Sequence, residues 1–309
     1  MTLEVRIPIS PRPAWLNRTR LIMASFRRFY PDTIFRISVG THQEPAAGEI
    51  DRVENTLGQR VHWLAADRMN EWAGTRSEYL ATMNDRFHGP FVGDHVIILD
   101  CDVLVTRAFD ELFAVDAIQG VQAHVSPIGD QDWRMLFNLF GIEAPRFAHD
   151  YSGNGIMGPV GHLGPWYANS GMVFGPRALF ERLCEPYQAA VAFLRGLMAD
   201  TYWFDQLALA LAVAKSGVPA RTLPLRFNFP NQAAFDQAHP AELADVRFLH
   251  YLRTDTVHRD RDFEDLEATG RLVGRTDLSG SNEVLRAGVA SLFGSLATPL
   301  ELICAEDAA

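Results

Sequence analysis

The feature that most constrains the fold is a short strand-like run, His95 to Leu99, that ends in Asp100-Cys101-Asp102. A run of consecutive β-branched and leucine residues is typical of a strand that is buried on both faces of a parallel sheet. Alternating strand and helix patterns precede this run, which is the order found in βαβ units. The sequence therefore predicts an α/β fold, with a mostly parallel central sheet flanked by helices.

Hydrophobic periodicity and turn signals place the remaining elements. Further strands are predicted at Leu3–Ile9, Thr33–Val39, Arg60–Leu64, Ala117–Val125, Ala168–Phe174, Ala220–Phe227 and Val246–Tyr251. Helices are predicted at Ala14–Phe29, Glu71–Phe87, Phe109–Phe113, Trp133–Phe140, Ala178–Leu197, Trp203–Ser216 and Asn282–Leu296. We expect one domain over 1–260 and a short helical extension over 261–309 that packs on it.

A glycine- and proline-rich segment extends from Ser126 to Pro165. Within it, Gly153 to Gly158 matches the dinucleotide-binding fingerprint by its letters. No strand pattern precedes that match, and Pro159 is incompatible with the helix that must follow it. A segment of this length inside a domain is typical of a lid or a binding region.

Composition narrows the classes of partner. The chain carries 28 basic and 38 acidic side chains, which gives a formal charge of −10. Such a surface repels a polyanion, so we expect no nucleic-acid partner. Lys215 is the only lysine, which excludes chemistry that needs a placed lysine unless Lys215 supplies it. Its position near the end of a predicted helix suits a favourable contact with the helix dipole instead.

Cysteine usage and targeting signals bear on the compartment. Cys101, Cys184 and Cys304 are odd in number, widely spaced and match no zinc-site pattern. The start of the chain lacks the segments of a signal peptide, and no window reaches the roughly 18 apolar residues of a membrane span. We expect a cytoplasmic protein with no transmembrane segment, in which any membrane contact is peripheral. The oligomeric state is not indicated.

The pattern Asp-x-Asp occurs three times, and its context separates the three pairs. The pairs that begin at Asp130 and Asp260 are predicted to lie in polar loops, where solvated aspartates are the simpler interpretation. Asp100 and Asp102 follow the most buried strand, and ligands of open parallel sheets bind at the carboxyl ends of strands. Carboxylate oxygens are suitable ligands for Mg²⁺ or Mn²⁺. A bound cation would offset the free-energy cost of burying two negative charges. The alternative is a solvated pair that caps the next helix.

Two later segments have unusual polar residues. Asn169-Ser170-Gly171 lies in a predicted strand, where a glycine allows close approach of a ligand or another backbone. A β-bulge is the alternative for that glycine. Asp205 and Gln206 open an apolar helix, where helix capping is the simpler role for the aspartate.

His250 ends the last predicted strand. A lone histidine at such a position is more often structural than a metal ligand.

Taken in order, these segments resemble a known family. A strand ending in Leu-Asp-Cys-Asp, a strand with Asn-Ser-Gly, a helix opening with Phe-Asp-Gln and a strand ending in histidine resemble the nucleotide-sugar-dependent glycosyltransferases of the GT-A fold. The likeness is greatest to family 8, the glycogenin and bacterial galactosyltransferase type, and covers roughly residues 3 to 253. The resemblance implies a GT-A-like fold that binds a nucleotide sugar.

The resemblance also implies roles for particular residues. Asp100, Asp102 and His250 match the residues that bind Mn²⁺ in that family, with Mg²⁺ as the other candidate. Asp100 would also face the donor diphosphate through the metal. Asn169 and Ser170 match the segment beside the donor sugar.

Asp205 and Gln206 match the pair near the anomeric carbon. The implied catalytic residues are therefore Asp205, Gln206 and Asn169. The physical role of such a pair is to stabilise positive charge in the transition state or to position the acceptor.

Further positions correspond to the nucleotide. Ile9 and Ser10 fall where the family holds the nucleobase. Arg76 or Arg86 would meet the diphosphate, and the sequence does not choose between them. The family's lysine after the histidine is absent, and Arg253 or Arg259 is the expected substitute.

The function expected from these residues is transfer of a sugar from a nucleotide diphosphate sugar, with UDP-sugars favoured, to an unknown carbohydrate, lipid-linked or small-molecule acceptor. Retention of the anomeric configuration follows from the resemblance alone. One rival is a nucleotidyltransferase that makes sugar nucleotides, although Ile9-Ser10-Pro11-Arg12-Pro13 is a poor version of its glycine-rich basic loop. The other rival is a non-catalytic sugar-nucleotide-binding protein of the same fold.

Overall fold

A computed structural model describes residues 1–71, 80–124, 126–150, 163–198 and 203–297. Its strands are β1 (Leu3–Ile9), β2 (Ile34–Val39), β3 (His62–Trp63), β4 (His95–Leu99), β5 (Val103–Val105), β6 (Ile118–Gln122), β7 (His149–Asp150), β8 (Leu163–Gly164), β9 (Ala168–Pro176), β10 (Ala220–Leu223), β11 (Phe229–Pro230) and β12 (Phe248–His250).

Its helices are α1 (Pro13–Arg27), α2 (Ala47–Leu57), α3 (Ala66–Asn70), α4 (Leu80–Asp85), α5 (Asp130–Leu139), α6 (Arg177–Leu197), α7 (Phe204–Ser216), α8 (Ala233–Ala238), α9 (Pro240–Ala244), α10 (Leu266–Val273) and α11 (Gly280–Ala297). Short 3-10 helices occur at Asp110–Leu112, Leu225–Phe227 and Arg261–Phe263.

The central sheet has the strand order β10-β6-β9-β4-β1-β2-β3. Strand β9 runs antiparallel to both of its neighbours, β4 and β6, whereas the other pairs of this sheet are parallel. The start of β9 therefore lies at the same edge as the carboxyl ends of the parallel strands. This reversal brings together two segments that are far apart in the sequence.

Strand β4 shows why the sheet is buried on both faces. Ile97 and Leu99 point into a core with β1 and α1, whereas Val96 and Ile98 point into a second core with α6 and α7. All four side chains are fully buried. Helices on both faces make the uninterrupted apolar run favourable, because neither face of the strand meets water.

A second, small sheet has the order β11-β12-β5. Strand β12 is antiparallel to β5, with His250 opposite Val103, and parallel to β11. Because β5 begins directly after Asp102, the Asp100-Cys101-Asp102 turn joins the two sheets. Helices α10 and α11 pack on each other, and α11 also packs on α1.

The expectation of an α/β fold with a mostly parallel sheet flanked by helices is confirmed. The predicted strand Ala220–Phe227 is shorter, since β10 ends before Pro224, which cannot donate to a strand ladder. Of the predicted helix Glu71–Phe87, the described part is helical over Leu80–Asp85. The fingerprint-like segment Gly153 to Gly158 lies outside the described residues.

Within the described ranges, no helix combines the length and the apolar character that a membrane crossing requires.

Candidate active site

The candidate site forms where β4 ends and β9 begins. Their antiparallel register pairs Leu99 with Met172, so the next residues, Asp100 and Gly171, lie side by side. The Asp100 backbone N–H donates to the Gly171 carbonyl at 3.1 Å. The first and second sequence motifs therefore meet at one edge of the central sheet.

Asp100, Asp102 and His250 form a cluster at this edge. One potential ligand atom from each residue lies within 4.8 Å of the other two. His250 Nε2 is 3.2 Å from Asp102 Oδ1 and 4.0 Å from Asp100 Oδ2. The pairing of β12 with β5 brings the histidine to the aspartates, and Asp102 and His250 are both buried.

Two carboxylate oxygens and an imidazole nitrogen suit a divalent cation such as Mn²⁺ or Mg²⁺. The other oxygens of the two carboxylates have arginine partners. Arg86 Nη1 donates to Asp100 Oδ1 at 2.8 Å, and Arg259 Nη1 donates to Asp102 Oδ2 at 2.5 Å. The oxygens that face His250 are Asp100 Oδ2 and Asp102 Oδ1, so the donor set fits a metal ion held by one oxygen from each carboxylate and by Nε2.

Asp102 and His250 are buried against each other, and each shifts the pKa of the other. Burial alone would raise the pKa of Asp102, but the charge and hydrogen bond of His250 lower it well below its ordinary value. Arg259 and the buried Arg18 of α1 lower it further. Burial would lower the pKa of His250, whereas Asp102 and Asp100 raise it above its ordinary value.

Arg86 lies at the centre of the polar contacts behind the cluster. Its side chain is fully buried and contacts Asp100, the Ser170 carbonyl at 3.3 Å and Asp205 Oδ2 at 3.5 Å. These contacts join the end of β4 to the start of β9 and to the first turn of α7. Arg76, the other candidate for the diphosphate, lies outside the described residues.

Asp205 is buried in the first turn of α7, and Gln206 beside it is half-buried. The Ser170 hydroxyl donates to Asp205 Oδ2 at 2.5 Å. Burial raises the pKa of Asp205, although Arg86 and the Ser170 hydrogen bond oppose that effect. Because the ionised carboxylate is disfavoured there, Asp205 has the kind of environment that tunes reactive carboxyl groups.

Ile9 and Ser10 lie at the carboxyl end of β1 and are both buried. Strands β1 and β4 are parallel, with Leu3 opposite His95, so their carboxyl ends lie at the same edge of the sheet. These two predicted nucleobase contacts are therefore at the same edge of the sheet as the cluster.

The two arginines after His250 differ in their contacts. Arg259 contacts Asp102, whereas Arg253 donates through Nε to Gln232 Oε1 at 3.1 Å. The backbone of Arg253 is held at both its N–H and its carbonyl by the side chain of Asn231. Of the two, Arg259 is the one that contacts a residue of the Asp100, Asp102 and His250 cluster.

Two residues next to the site were not predicted from the sequence. Asn228, which follows the 3-10 helix Leu225–Phe227, faces His250. Arg18 is buried in α1 beneath Asp102 and pairs with Asp260 at 3.3 Å. Asn228 lies 22 residues from His250 in the sequence, and Arg18 has the spacing of an ordinary helix residue, so local pattern gives no signal for either.

Comparison with known proteins gives a structural match only. No protein-family model matches the sequence, and no curated protein matches it. A structure of the galactosyltransferase LgtC in complex with donor and acceptor sugar analogs is similar over 96% of each chain, with 14% sequence identity and a TM-score of 0.56.

Two further structures match with lower TM-scores. An active-site mutant of LgtC has 15% identity over 87% of this chain and 95% of that chain, with a TM-score of 0.49. Mouse xyloside xylosyltransferase 1 in its apo form has 12% identity over 83% of this chain and 100% of that chain, with a TM-score of 0.46. The match to the LgtC complex establishes the fold, and the GT-A architecture implied by the sequence resemblance is confirmed.

Proposed function

We propose that this chain is a metal-dependent glycosyltransferase that moves a sugar from a nucleotide diphosphate sugar to an acceptor. The observation that carries the proposal is the cluster of Asp100, Asp102 and His250 at the ligand-binding edge of a GT-A fold. The favoured donor class is a UDP-sugar, and the acceptor is a carbohydrate, a lipid-linked sugar or a small molecule.

In this proposal Asp100, Asp102 and His250 hold Mn²⁺ or Mg²⁺ through the three atoms that face one another. A bound divalent cation acts as a Lewis acid and stabilises the negative charge of a departing nucleotide diphosphate. It also lets an acidic protein attract an anionic donor, because the local field is inverted at the metal. The arrangement of ligand atoms supports this assignment.

We assign Arg259 to the donor diphosphate, in the place of the lysine that the resemblance leads one to expect. Its side chain is 38% exposed and lies beside Asp102, and a planar guanidinium matches the geometry of phosphate oxygens. Arg253 is directed to Gln232 instead. Arg86 is fully buried between the carboxylates of Asp100 and Asp205. Its contacts support a role in holding these two side chains in position rather than a direct contact with phosphate.

Ile9 and Ser10 would meet the nucleobase at the end of β1, and Ser170 the donor sugar. Asp205 and Gln206 would lie near the anomeric carbon, since Asp205 is joined to Ser170 by a hydrogen bond. A carboxylate held in this way can stabilise the positive charge that develops in a glycosyl transition state, and the amide can orient the acceptor hydroxyl. Retention of configuration belongs to the proposal as an implication of the resemblance.

The test is hydrolysis of the donor in Mn²⁺ without acceptor. A thermal-shift screen of nucleotide sugars with and without Mn²⁺ selects the donor, because a ligand at 100 times its Kd stabilises a protein by about 2.7 kcal/mol. We expect slow, Mn²⁺-dependent release of UDP from the selected donor, and no release by the Asp102→Asn variant.

Other outcomes contradict the proposal. Binding of a nucleotide sugar with no hydrolysis, and with no transfer to any acceptor tried, would favour a non-catalytic binding protein. Release of pyrophosphate from a nucleoside triphosphate and a sugar phosphate would favour a nucleotidyltransferase.

We also propose a cytoplasmic location, with any membrane contact peripheral.

A further inference from the structure

We infer that Asn169 and Asn228 form a hydrogen-bonded relay that orients His250 so that its Nε2 atom faces Asp100 and Asp102. The inference rests on the proposed metal site, because it assigns to Asn169 and Asn228 the positioning of a metal ligand. It also changes the role of Asn169, which the resemblance places at the donor sugar.

The direction of each hydrogen bond in the relay follows from a single backbone group. The Gly171 N–H can only donate, and it lies 2.9 Å from the Oδ1 atom of Asn169. That atom of Asn169 must therefore be the carbonyl oxygen. The Asn228 atom 2.9 Å from the same oxygen must then be the donor, Nδ2.

The orientation of the Asn228 amide determines which nitrogen of the His250 ring carries a proton. Since Nδ2 of Asn228 points to Asn169, the carbonyl oxygen of Asn228 is the atom that lies 3.0 Å from His250 Nδ1. Nδ1 must therefore carry a proton and donate it. Amide and imidazole orientations are usually assigned by inference, and here the fixed donor at Gly171 determines all three.

This protonation state is the one that a metal ligand needs. With the proton on Nδ1, the lone pair of neutral His250 is on Nε2, which faces the oxygens of Asp100 and Asp102 that are not the ones bonded to Arg86 and Arg259. A hydrogen bond from the second ring nitrogen commonly fixes both the tautomer and the orientation of a ligating histidine.

Burial and packing hold the relay in place. Asn228 is 3% exposed and directly precedes β11, whose Phe229 pairs in parallel with Leu249, the residue before His250. On the other side, a Cβ atom added to Gly171 would lie 2.4 Å from His250 Cε1 and 2.7 Å from Asn169 Oδ1. The glycine of the Asn-Ser-Gly motif therefore provides space for the imidazole ring and for the relay.

Asn169 thus acts through His250 as a positioning residue. Its Oδ1 atom accepts two hydrogen bonds, from Gly171 and from Asn228, and only its Nδ2 group remains to contact a substrate. Asn169→Asp retains an acceptor oxygen for both bonds, whereas Asn169→Leu removes it. The two variants separate the relay from a role that requires the amide N–H group.

The first measurement is made on metal-free protein with ¹⁵N-labelled histidine. We expect the Nδ1 proton of His250 to be visible and to exchange slowly with water in the wild type and in Asn169→Asp. Asn228→Leu should lose that protection. A wild-type His250 with no proton on Nδ1, or with a rapidly exchanging one, overturns the relay.

The second measurement is the Mn²⁺ dissociation constant, followed by electron paramagnetic resonance. Loss of an outer-shell partner typically weakens metal binding by about 10- to 100-fold, and we expect this range for Asn228→Leu and Asn169→Leu. Asn169→Asp should stay within about threefold of the wild type if the acceptor oxygen is what matters. Equal weakening by both Asn169 variants, or unchanged affinity in Asn228→Leu, contradicts the inference.

The two measurements distinguish failure of the relay from failure of the proposed function. If the wild type has the protected Nδ1 proton but binds no Mn²⁺, the proposed metal site is wrong and the hydrogen-bonded relay stands. If it binds Mn²⁺ through Asp102 and lacks that proton, the relay is wrong and the proposed function stands. Should Asn228→Leu fail to fold, the relay is still tested by the wild-type spectrum and by the comparison of Asn169→Asp with Asn169→Leu.

Discussion

Asp205 is a buried carboxylate whose contacts allow either a structural or a reactive role. It accepts a hydrogen bond from Ser170 and pairs with Arg86, and these contacts would hold it rigid for catalysis as well as for stability. The N-cap position of α7 is Trp203, so the helix-capping role expected for Asp205 is not observed. A structural role as the buried partner of Ser170 and Arg86 predicts a loss of stability of roughly 1–3 kcal/mol on truncation, with little effect on turnover. A role near the anomeric carbon predicts the reverse.

For Asp205→Asn and Gln206→Ala we expect kcat to fall by about 10²-fold or more while UDP affinity is retained. The reason is that both side chains would act in the transition state rather than on the nucleotide. Turnover, UDP affinity and melting temperature are measured together on both variants. If both variants lose stability but not turnover, Asp205 and Gln206 have a structural role and not a catalytic one.

The pH dependence of stability gives a second test of Asp205. Burial raises its pKa above the ordinary value of 3.8, so the folded state binds this proton more tightly than the unfolded state. Its contribution to stability is therefore fully present below pH 3.8 and is lost as the pH rises through the folded-state pKa.

Asp205→Asn should not show this loss, because an amide resembles the protonated acid at every pH. Urea unfolding across this pH range should show the free energy of unfolding of the wild type falling relative to that of the variant. A difference between the two proteins that does not change with pH would contradict the raised pKa.

Arg259 and Arg253 make a matched pair of variants. Arg259→Ala should weaken UDP binding in saturating Mn²⁺ by about 10- to 100-fold, since a hydrogen bond to a charged group contributes roughly 1.5–3 kcal/mol. Mn²⁺ alone should bind at least as tightly, because a competing cation beside Asp102 is gone. Calorimetry that shows the larger loss in Arg253→Ala would reverse the assignment of the phosphate contact.

At the scale of elements, the site depends on the reversed direction of β9 between β4 and β6. This direction aligns Gly171 with the end of β4, and the contact between β5 and β12 adds His250 from the second sheet. Strands β4, β9 and β12 have the polar residues Asp100, Asn169, Ser170 and His250 where they meet at this edge, while their other residues are mostly apolar and buried. The site is thus built on rigid elements, which favours a fixed geometry.

Gly171→Ala tests this close packing. An added Cβ atom would lie 2.4 Å from His250 Cε1, so the ring must move. We expect a loss of stability of roughly 1–3 kcal/mol, as for other overpacked cores, together with weaker Mn²⁺ binding. A matched control is Gly196→Ala, where an added Cβ has no neighbour within 4 Å. Equal Mn²⁺ affinities in the two variants would show that the glycine does not hold the histidine in place.

Much of this element structure could be predicted from the sequence. The run His95–Leu99 is recognisable because burial on both faces leaves no polar position, and the polar residues that follow it mark the edge of the sheet. Asn228 could not be predicted in the same way. It lies in an irregular turn, and only the pairing of β11 with β12 brings it to His250.

At the scale of the whole molecule, an acidic protein is proposed to bind an anionic donor. The formal charge is −10, yet Arg18, Arg86 and Arg259 surround the two aspartates of the cluster. With a divalent cation the local charge becomes more positive, so the field at the site differs in sign from that of the surface. We therefore expect a nucleotide diphosphate to bind well only when the metal is present.

The most direct test is calorimetry of UDP binding, with and without Mn²⁺, to the wild type and to Asp102→Asn, with folding checked by circular dichroism. We predict Mn²⁺-dependent binding to the wild type. In the folded variant this binding should be weaker by about 100-fold or more, because a direct ligand is lost rather than an outer-shell partner. Unchanged Mn²⁺-dependent UDP affinity in Asp102→Asn would contradict the account.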